Sequence, residues 1–190
     1  MSRVLALVAV LVLVAASASA EPATARLRRF ALVAGANDGG PGRARLRHAG
    51  TDADAMARVL GDLGGVAPRD LIVLKQPGRE AVEAAFGRLA ALLSYARSQG
   101  LRAEVVFYYS GHSDEEALLL GAERYTYREV RGHLESLPAD VRVAIVDSCA
   151  SGALTQAKGG KFRPPFAVDE AAQVRGYAIL TSASATENAQ

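Results

Sequence analysis

Short runs of apolar, mostly β-branched residues recur along the chain and predict β-strands. Most of these runs are continuously apolar rather than alternating, which is typical of strands covered on both faces of a sheet. The five predicted strands are residues 30–35, 70–74, 104–109, 141–147 and 176–181.

The segments between the first four runs have the periodicity and the end signals of helices. Two of them open with the form of a capping box, at Thr51–Asp54 and at Thr126–Glu129. The other is rich in alanine and leucine and stops at Gly100. The predicted helices cover residues 51–63, 79–99 and 126–137.

Strands and helices alternate along the chain, with a long irregular stretch before the last strand. This order predicts an α/β fold with a mostly parallel sheet covered by helices on both faces. In such folds ligands and chemistry collect at the carboxyl ends of the strands. These ends are therefore where we look for functional residues.

Two of the predicted strands end in residues that can carry chemistry. The third runs as VVFYYSGH into His112, and the fourth runs as VAIVDSC into Cys149. Residues two apart on a strand point the same way, so Ser110 should share a direction with His112, and Asp147 with Cys149. An imidazole and a thiol at one sheet edge form a nucleophile with its base.

Each of these residues also has an ordinary interpretation. A lone cysteine after a strand is often a small buried hydrophobic residue, and Ser-Gly-His is often only a turn. The glycine of that turn, Gly111, would let the backbone approach a substrate and aim its N–H at a reacting carbonyl. These residues favour a catalytic interpretation more strongly because they occur together at the ends of parallel strands.

Composition and the first residues of the chain indicate which partners and which compartment to expect. The sequence has 190 residues, 50% hydrophobic, and 22 Lys and Arg balance 20 Asp and Glu, so nothing indicates a nucleic-acid or anionic-membrane partner. Residues 1–20 have a positive start, an apolar run and a small-residue site ending at Ala20, which predict a cleaved signal peptide. A retained membrane anchor is the alternative, although the apolar run is short for one.

An exported protein with one cysteine cannot close an internal disulfide. Its thiol then either pairs with another molecule or is reactive. We expect a mature domain over residues 21–190 that is periplasmic or secreted, without a membrane partner. Cys149 becomes the leading candidate nucleophile.

The motif VVFYYSGH, followed further along by VAIVDSCASG, resembles the caspase and metacaspase superfamily of cysteine peptidases, in its bacterial caspase-domain form. FALVAGAND resembles the first strand of that family and AGTDADAMARVL its first helix. The resemblance covers residues 28–188. It is closer to metacaspases than to caspases, because the caspase signature around the cysteine is absent.

The resemblance implies a reaction and the residues that carry it. Cys149 would be the nucleophile, and His112 the base that later protonates the leaving amine. The backbone N–H groups of Gly111 and Cys149 would form the oxyanion hole. The implied activity is that of an endopeptidase with a His-Cys dyad.

The resemblance also implies a substrate class. The metacaspase pocket for the residue before the scissile bond is acidic and selects Arg or Lys. Asp52 and Asp147 match its acidic positions, and Ser110 matches a further lining position. The expected partners are therefore proteins or peptides with Arg or Lys before the cut bond. Asp52 alone would also be explained as an acid favoured at a helix start.

Three departures from the family pattern leave another function open. Ser113 replaces a usual glycine, Ala150 replaces a usual polar residue, and the chain stops at Gln190, before the family fold is expected to end. The alternative is a truncated or inactive caspase-like module that binds partners. A third interpretation, a flavodoxin-like binding domain, has less support, because AGANDGGPG lacks the spacing of a phosphate-binding loop.

No cofactor and no metal site are expected. Some metacaspases need calcium, but Asp114, Glu115 and Glu116 are adjacent rather than spaced as in a calcium loop, and they predict a solvated acidic turn. Zinc is not indicated, because His48 and His133 are far from the single cysteine in sequence.

The irregular stretch 154–175 follows the candidate nucleophile and carries basic residues among glycines and prolines. One interpretation is a solvated loop. The other is a linker that the enzyme cuts in itself after Lys158, Lys161 or Arg163, since loop tips are preferred sites of nicking. The sequence alone leaves both open.

Overall fold

The computed structural model describes residues 26–148 and 176–182. Several sequence-based predictions lie outside these residues. They concern the signal peptide at 1–20, Cys149, Ala150, the stretch 154–175 and the chain end.

A five-stranded sheet forms the centre of the molecule, and all of its strand pairs are parallel. The strands are β1 (Leu27–Ala36), β2 (Val66–Lys75), β3 (Arg102–Gly111), β4 (Ala117–Leu120), β5 (Glu123–Thr126), β6 (Val141–Asp147) and β7 (Gly176–Thr181). The strand order in the sheet is β2-β1-β3-β6-β7, and a separate antiparallel hairpin is made of β4 and β5. The five predicted strands are confirmed, and the hairpin was not predicted.

Helices cover both faces of the sheet, as the alternating pattern predicts. They are α1 (Ala49–Asp62), α2 (Arg79–Ser98) and α3 (Tyr127–Ser136). The larger apolar core lies between the sheet and α2 and α3, and the smaller one lies under α1. None of the helices in the described part of the chain is long and apolar enough to cross a membrane.

The first helix begins earlier than its capping motif predicts. It starts at Ala49, and the side chain of His48 at its N-cap makes no capping hydrogen bond. Thr51 lies inside the helix, where its hydroxyl donates to the carbonyl of His48 at 2.7 Å. The prediction was wrong because a distant side chain, the Oδ1 of Asn37, accepts a hydrogen bond from Gly50 N–H at 3.3 Å. Such a tertiary contact leaves no local sequence signal.

The hairpin β4–β5 is tied to the acidic stretch that precedes it. The carboxylate of Asp114 accepts hydrogen bonds from the N–H groups of Glu116 and Ala117, and it pairs with Arg124 at 2.8 Å. Arg124 also pairs with Glu116. The expectation of a simply solvated acidic turn was therefore wrong for Asp114, which is only 25% exposed.

The second capping box is confirmed, and it gives the fold a dependence on pH. Glu129 N–H donates to the Thr126 hydroxyl, while the Glu129 carboxylate accepts from Thr126 N–H at 2.9 Å. Hydrogen bonds from Arg79 and then from Thr126 lower the pKa of Glu129 from 4.5 to about 2. A lowered pKa stabilises the fold above pH 4.5, and this contribution is lost as the pH falls toward 2.

We therefore expect Glu129→Gln to reduce the free energy of unfolding at pH 7 and to flatten its decline between pH 4.5 and 2. Denaturant unfolding followed at several pH values measures this. Glu135→Gln, which changes an exposed carboxylate of the same helix, is the control and should leave the slope unchanged. An unaltered slope in Glu129→Gln would contradict the assignment.

Candidate active site

A cleft of about 250 Å³ lies at the carboxyl ends of β3 and β6, beside the first turn of α1. Its described walls contain every predicted site residue except Cys149, which lies outside the described residues. The predicted residues in the walls are Asp52, Ser110, Gly111, His112 and Asp147, and the other lining residues are Leu46, Arg47, His48, Ala49 and Ser148.

Strand register explains why Ser110 and Asp147 meet. The two residues are direct partners in the parallel pairing of β3 with β6. Tyr108, two residues before Ser110, belongs to the apolar cluster under α1. Because side chains alternate along a strand, Ser110 lies on the same face as Tyr108. The expectation that Ser110 and His112 share a direction is consistent with both lining the cleft.

A glycine in β1 brings α1 down onto these strand ends. A Cβ at Gly35 would lie 2.3 Å from the carbonyl oxygen of Ala49 and 2.9 Å from the Cβ of Ala53, so only glycine allows this approach. The first turn of α1 thereby carries Asp52 to the cleft. There the hydroxyl of Ser110 donates to Asp52 Oδ2 at 3.2 Å.

The cleft has an acidic side. Asp52 is half-buried and Asp147 is exposed. Among residues 26–148 and 176–182 neither carboxylate has an ion-pair partner. Burial, and then the negative charge of Asp147, raise the pKa of the neighbouring Tyr108 to about 12. Two unpaired carboxylates beside each other favour a cation as the group that fills this part of the cleft.

His112 lies just beyond the end of β3 and is held from both its backbone and its ring. Its carbonyl oxygen accepts a hydrogen bond from Leu119 N–H at 2.9 Å and lies 2.9 Å from the Tyr109 hydroxyl. Its Nε2 lies 2.8 Å from the carbonyl oxygen of Ala44. A carbonyl only accepts, so Nε2 carries the proton, and Nδ1 of the neutral imidazole is left as the base.

Two close approaches need glycine next to this imidazole. A Cβ at Gly39 would lie 2.4 Å from Cδ2 of His112, so the backbone of Gly39 is the surface against which the ring rests. A Cβ at Gly111 would lie 2.4 Å from the Tyr109 hydroxyl oxygen and 2.9 Å from the Ala36 carbonyl oxygen. Gly111 therefore lets the Tyr109 hydroxyl reach the carbonyl of His112.

Sequence reasoning missed Ala44 and Gly39. Both lie between β1 and α1, in or just after the stretch AGANDGGPG, whose glycines lack the spacing of a phosphate-binding loop. The glycines were a usable signal, because they permit close backbone approach to another group. The carbonyl of Ala44 acts through its backbone, so no residue type could indicate it.

We expect Gly39→Ala to displace the imidazole and to lower the turnover number kcat by roughly 10- to 100-fold, because misplacing a reacting group by about 1 Å has effects of this size. Steady-state kinetics with a peptide substrate measures this. Gly87→Ala is the matched control, since nothing lies within 4 Å of its new methyl group. Equal kcat values for the two variants would contradict the role of Gly39.

The residue before the candidate nucleophile is held by the end of β7. Ser148, the residue before Cys149, is buried and donates its N–H to the hydroxyl oxygen of Ser182 at 3.1 Å. Ser182 N–H in turn donates to the Val146 carbonyl at 3.2 Å. The end of β6 is thus fastened to the end of β7 one residue before Cys149.

No group of three or more His, Cys, Asp or Glu side chains that could hold a metal ion is found among residues 26–148 and 176–182. Among the described residues, Asp52 and Asp147 supply the carboxylates of the cleft.

The family model for the caspase domain matches residues 28–189 of the chain. No curated protein matches it. The solved structure of pro-sf-caspase-1 is similar over 80% of this chain, with 13% sequence identity and a TM-score of 0.49. This chain covers 56% of that structure's chain.

Proposed function

The chain belongs to the caspase-domain family of cysteine peptidases, and we propose that it is an endopeptidase of the metacaspase type that cuts after Arg or Lys. One observation carries the proposal: His112 and the carboxylates of Asp52 and Asp147 line one cleft at the ends of β3 and β6. The chain continues from this cleft, through Ser148, to its only cysteine.

In the proposed reaction, Nδ1 of His112 takes the proton of the Cys149 thiol. The thiolate attacks the scissile carbonyl carbon, and the peptide C–N bond breaks as His112 gives the proton to the leaving amine. Water then hydrolyses the thioester, and the thiol is regenerated. The backbone N–H groups of Gly111 and Cys149 would hold the oxyanion that forms in both steps.

The hydrogen bond from His112 Nε2–H to the Ala44 carbonyl supports this role. It fixes the tautomer that has a free Nδ1, the nitrogen that would take the proton of the thiol. Because the ring is already oriented, less entropy is lost in positioning the base during the reaction.

The acidic side of the cleft supports the proposed specificity. An Arg or Lys side chain leaving water needs a carboxylate partner. Arg47 also lines the cleft, but in the described part of the chain neither Asp52 nor Asp147 forms an ion pair. The Ser110 hydroxyl, bonded to Asp52 at 3.2 Å, orients the carboxylate that would meet the substrate.

We also propose that the protein is exported, with cleavage near Ala20, and that it needs no metal or other cofactor. The apolar run in residues 1–20 supports export. The hydrogen bond that His112 Nε2–H donates to the Ala44 carbonyl supports a metal-free reaction, since the chain itself supplies the partner that orients the base.

Fluorogenic peptides ending in Arg, Lys or Asp before the reporter group test this function. We expect the purified chain to release the reporter from the Arg and Lys peptides and not from the Asp peptide. A chain that binds the Arg peptide but cuts none would instead be the inactive caspase-like module. Addition of a chelator should leave the rate unchanged.

A further inference from the structure

Gln76, directly after β2, has an unusual backbone conformation. Its φ is +46°, and it is the one non-glycine residue with positive φ among residues 26–148 and 176–182. Residues with a Cβ avoid this left-handed region, whereas Gly and Asn adopt it more readily. A glutamine held there needs contacts that over-determine its position.

The side-chain amide of Gln76 supplies such contacts. Its Oε1 accepts a hydrogen bond from Asp38 N–H at 3.0 Å, and its Nε2 donates to the Asp38 carbonyl at 3.3 Å. Its own N–H donates to the Gly35 carbonyl at 2.7 Å. One amide therefore holds both backbone groups of a single residue, 38 positions away in the sequence.

The segment that Gln76 holds is the one that contacts the catalytic imidazole. Gly39, against which the ring of His112 rests, is the next residue after Asp38. Ala44, whose carbonyl binds His112 Nε2, lies in the same connection between β1 and α1. The segment has one more attachment at this point, a hydrogen bond of 3.0 Å from Gly121 N–H to the Asp38 carbonyl.

We propose that Gln76 is a positioning residue for His112, acting through the backbone of Asp38 and Gly39. The inference rests on the proposed function of His112 as the base. Gln76 is not among the residues that line the cleft. Its loss should therefore lower kcat and leave the Michaelis constant KM unchanged, since substrate contacts stay in place.

Two substitutions separate this role from plain stabilisation of the loop. Gln76→Asn adopts the left-handed conformation more readily but is one methylene too short to reach Asp38, and Gln76→Ala removes the amide altogether. We expect both to lower kcat by roughly 10- to 100-fold, with Asn unfolding at a temperature equal to or above that of Ala. Gln99→Ala, which removes an exposed amide elsewhere, should match the wild type.

The test combines these kinetics with NMR of the imidazole nitrogens in the wild-type and Gln76 variants. We expect His112 to be a single Nε2–H tautomer in the wild type and a mixture in both variants. Wild-type kcat together with the wild-type tautomer in Gln76→Asn would overturn the proposal. A wild-type chain that cuts no peptide would refute the proposed function instead, and the NMR spectra would still decide whether Gln76 positions the ring.

Discussion

We expect Cys149→Ala to abolish hydrolysis of the Arg peptide, and His112→Ala to lower kcat by roughly 10²- to 10⁴-fold, the usual contribution of general acid–base catalysis. The two losses differ because Cys149 would form the covalent bond, whereas His112 would move the proton. Steady-state kinetics on the purified variants measures both effects.

Folding is the control for this prediction. The imidazole of His112 is held by the Ala44 carbonyl and the Gly39 backbone at the rim of the cleft, outside both apolar cores. Thermal unfolding of His112→Ala should therefore remain cooperative. Full amidase activity in Cys149→Ala would contradict the assignment of a His112–Cys149 dyad.

Replacing Asp52 by Asn should lower the specificity constant kcat/KM on Arg peptides far more than on peptides with an uncharged residue. Leaving a buried charge without its partner costs about 2–5 kcal/mol, which corresponds to a loss of roughly 30-fold or more. Asn keeps the shape of the side chain and an oxygen for the Ser110 hydroxyl, so the change removes mainly the charge. Asp147→Asn should act in the same direction but less strongly, because Asp147 is exposed.

Asp62→Asn is the matched control for this prediction. Asp62 is an exposed carboxylate at the other end of the same helix, α1. Loss of the Asp62 charge should leave unchanged the ratio of kcat/KM on Arg peptides to kcat/KM on peptides with an uncharged residue. A wild-type preference for peptides ending in Asp would contradict the acidic pocket, because two carboxylates repel an acidic side chain.

The sheet could be predicted because each of its strands contains a local run of apolar residues in the sequence. Continuously apolar runs are typical of parallel strands covered on both faces. The runs of the edge strands β2 and β7 also became strands of the sheet, although several of their residues are exposed. The hairpin could not be found in this way, because β4 and β5 have four residues each. Gly121, with φ of +64°, forms its turn together with Ala122, and this pair was its main local signal.

The predicted members of the candidate site meet because of register and close packing. Ser110 and Asp147 followed from strand-end positions, since β3 and β6 pair in parallel at those residues. The groups that hold the imidazole did not follow. The carbonyl of Ala44 and the amide of Gln76 reach their targets through the chain's path, which no local pattern records. For the backbone of Gly39 the glycine itself was the only local signal.

Labelling with a reactive peptide tests directly whether Cys149 is the nucleophile and whether its site selects Arg. The wild-type chain is treated with a peptidyl chloromethyl ketone ending in Arg, and the modified residue is located by mass spectrometry. We expect one label, on Cys149, which is lost in His112→Ala and absent when the reagent ends in Asp. Equal labelling of Cys149 by the Arg and Asp reagents would contradict the proposed specificity. Labelling of Cys149 no faster than in the unfolded chain would contradict its role as an activated nucleophile.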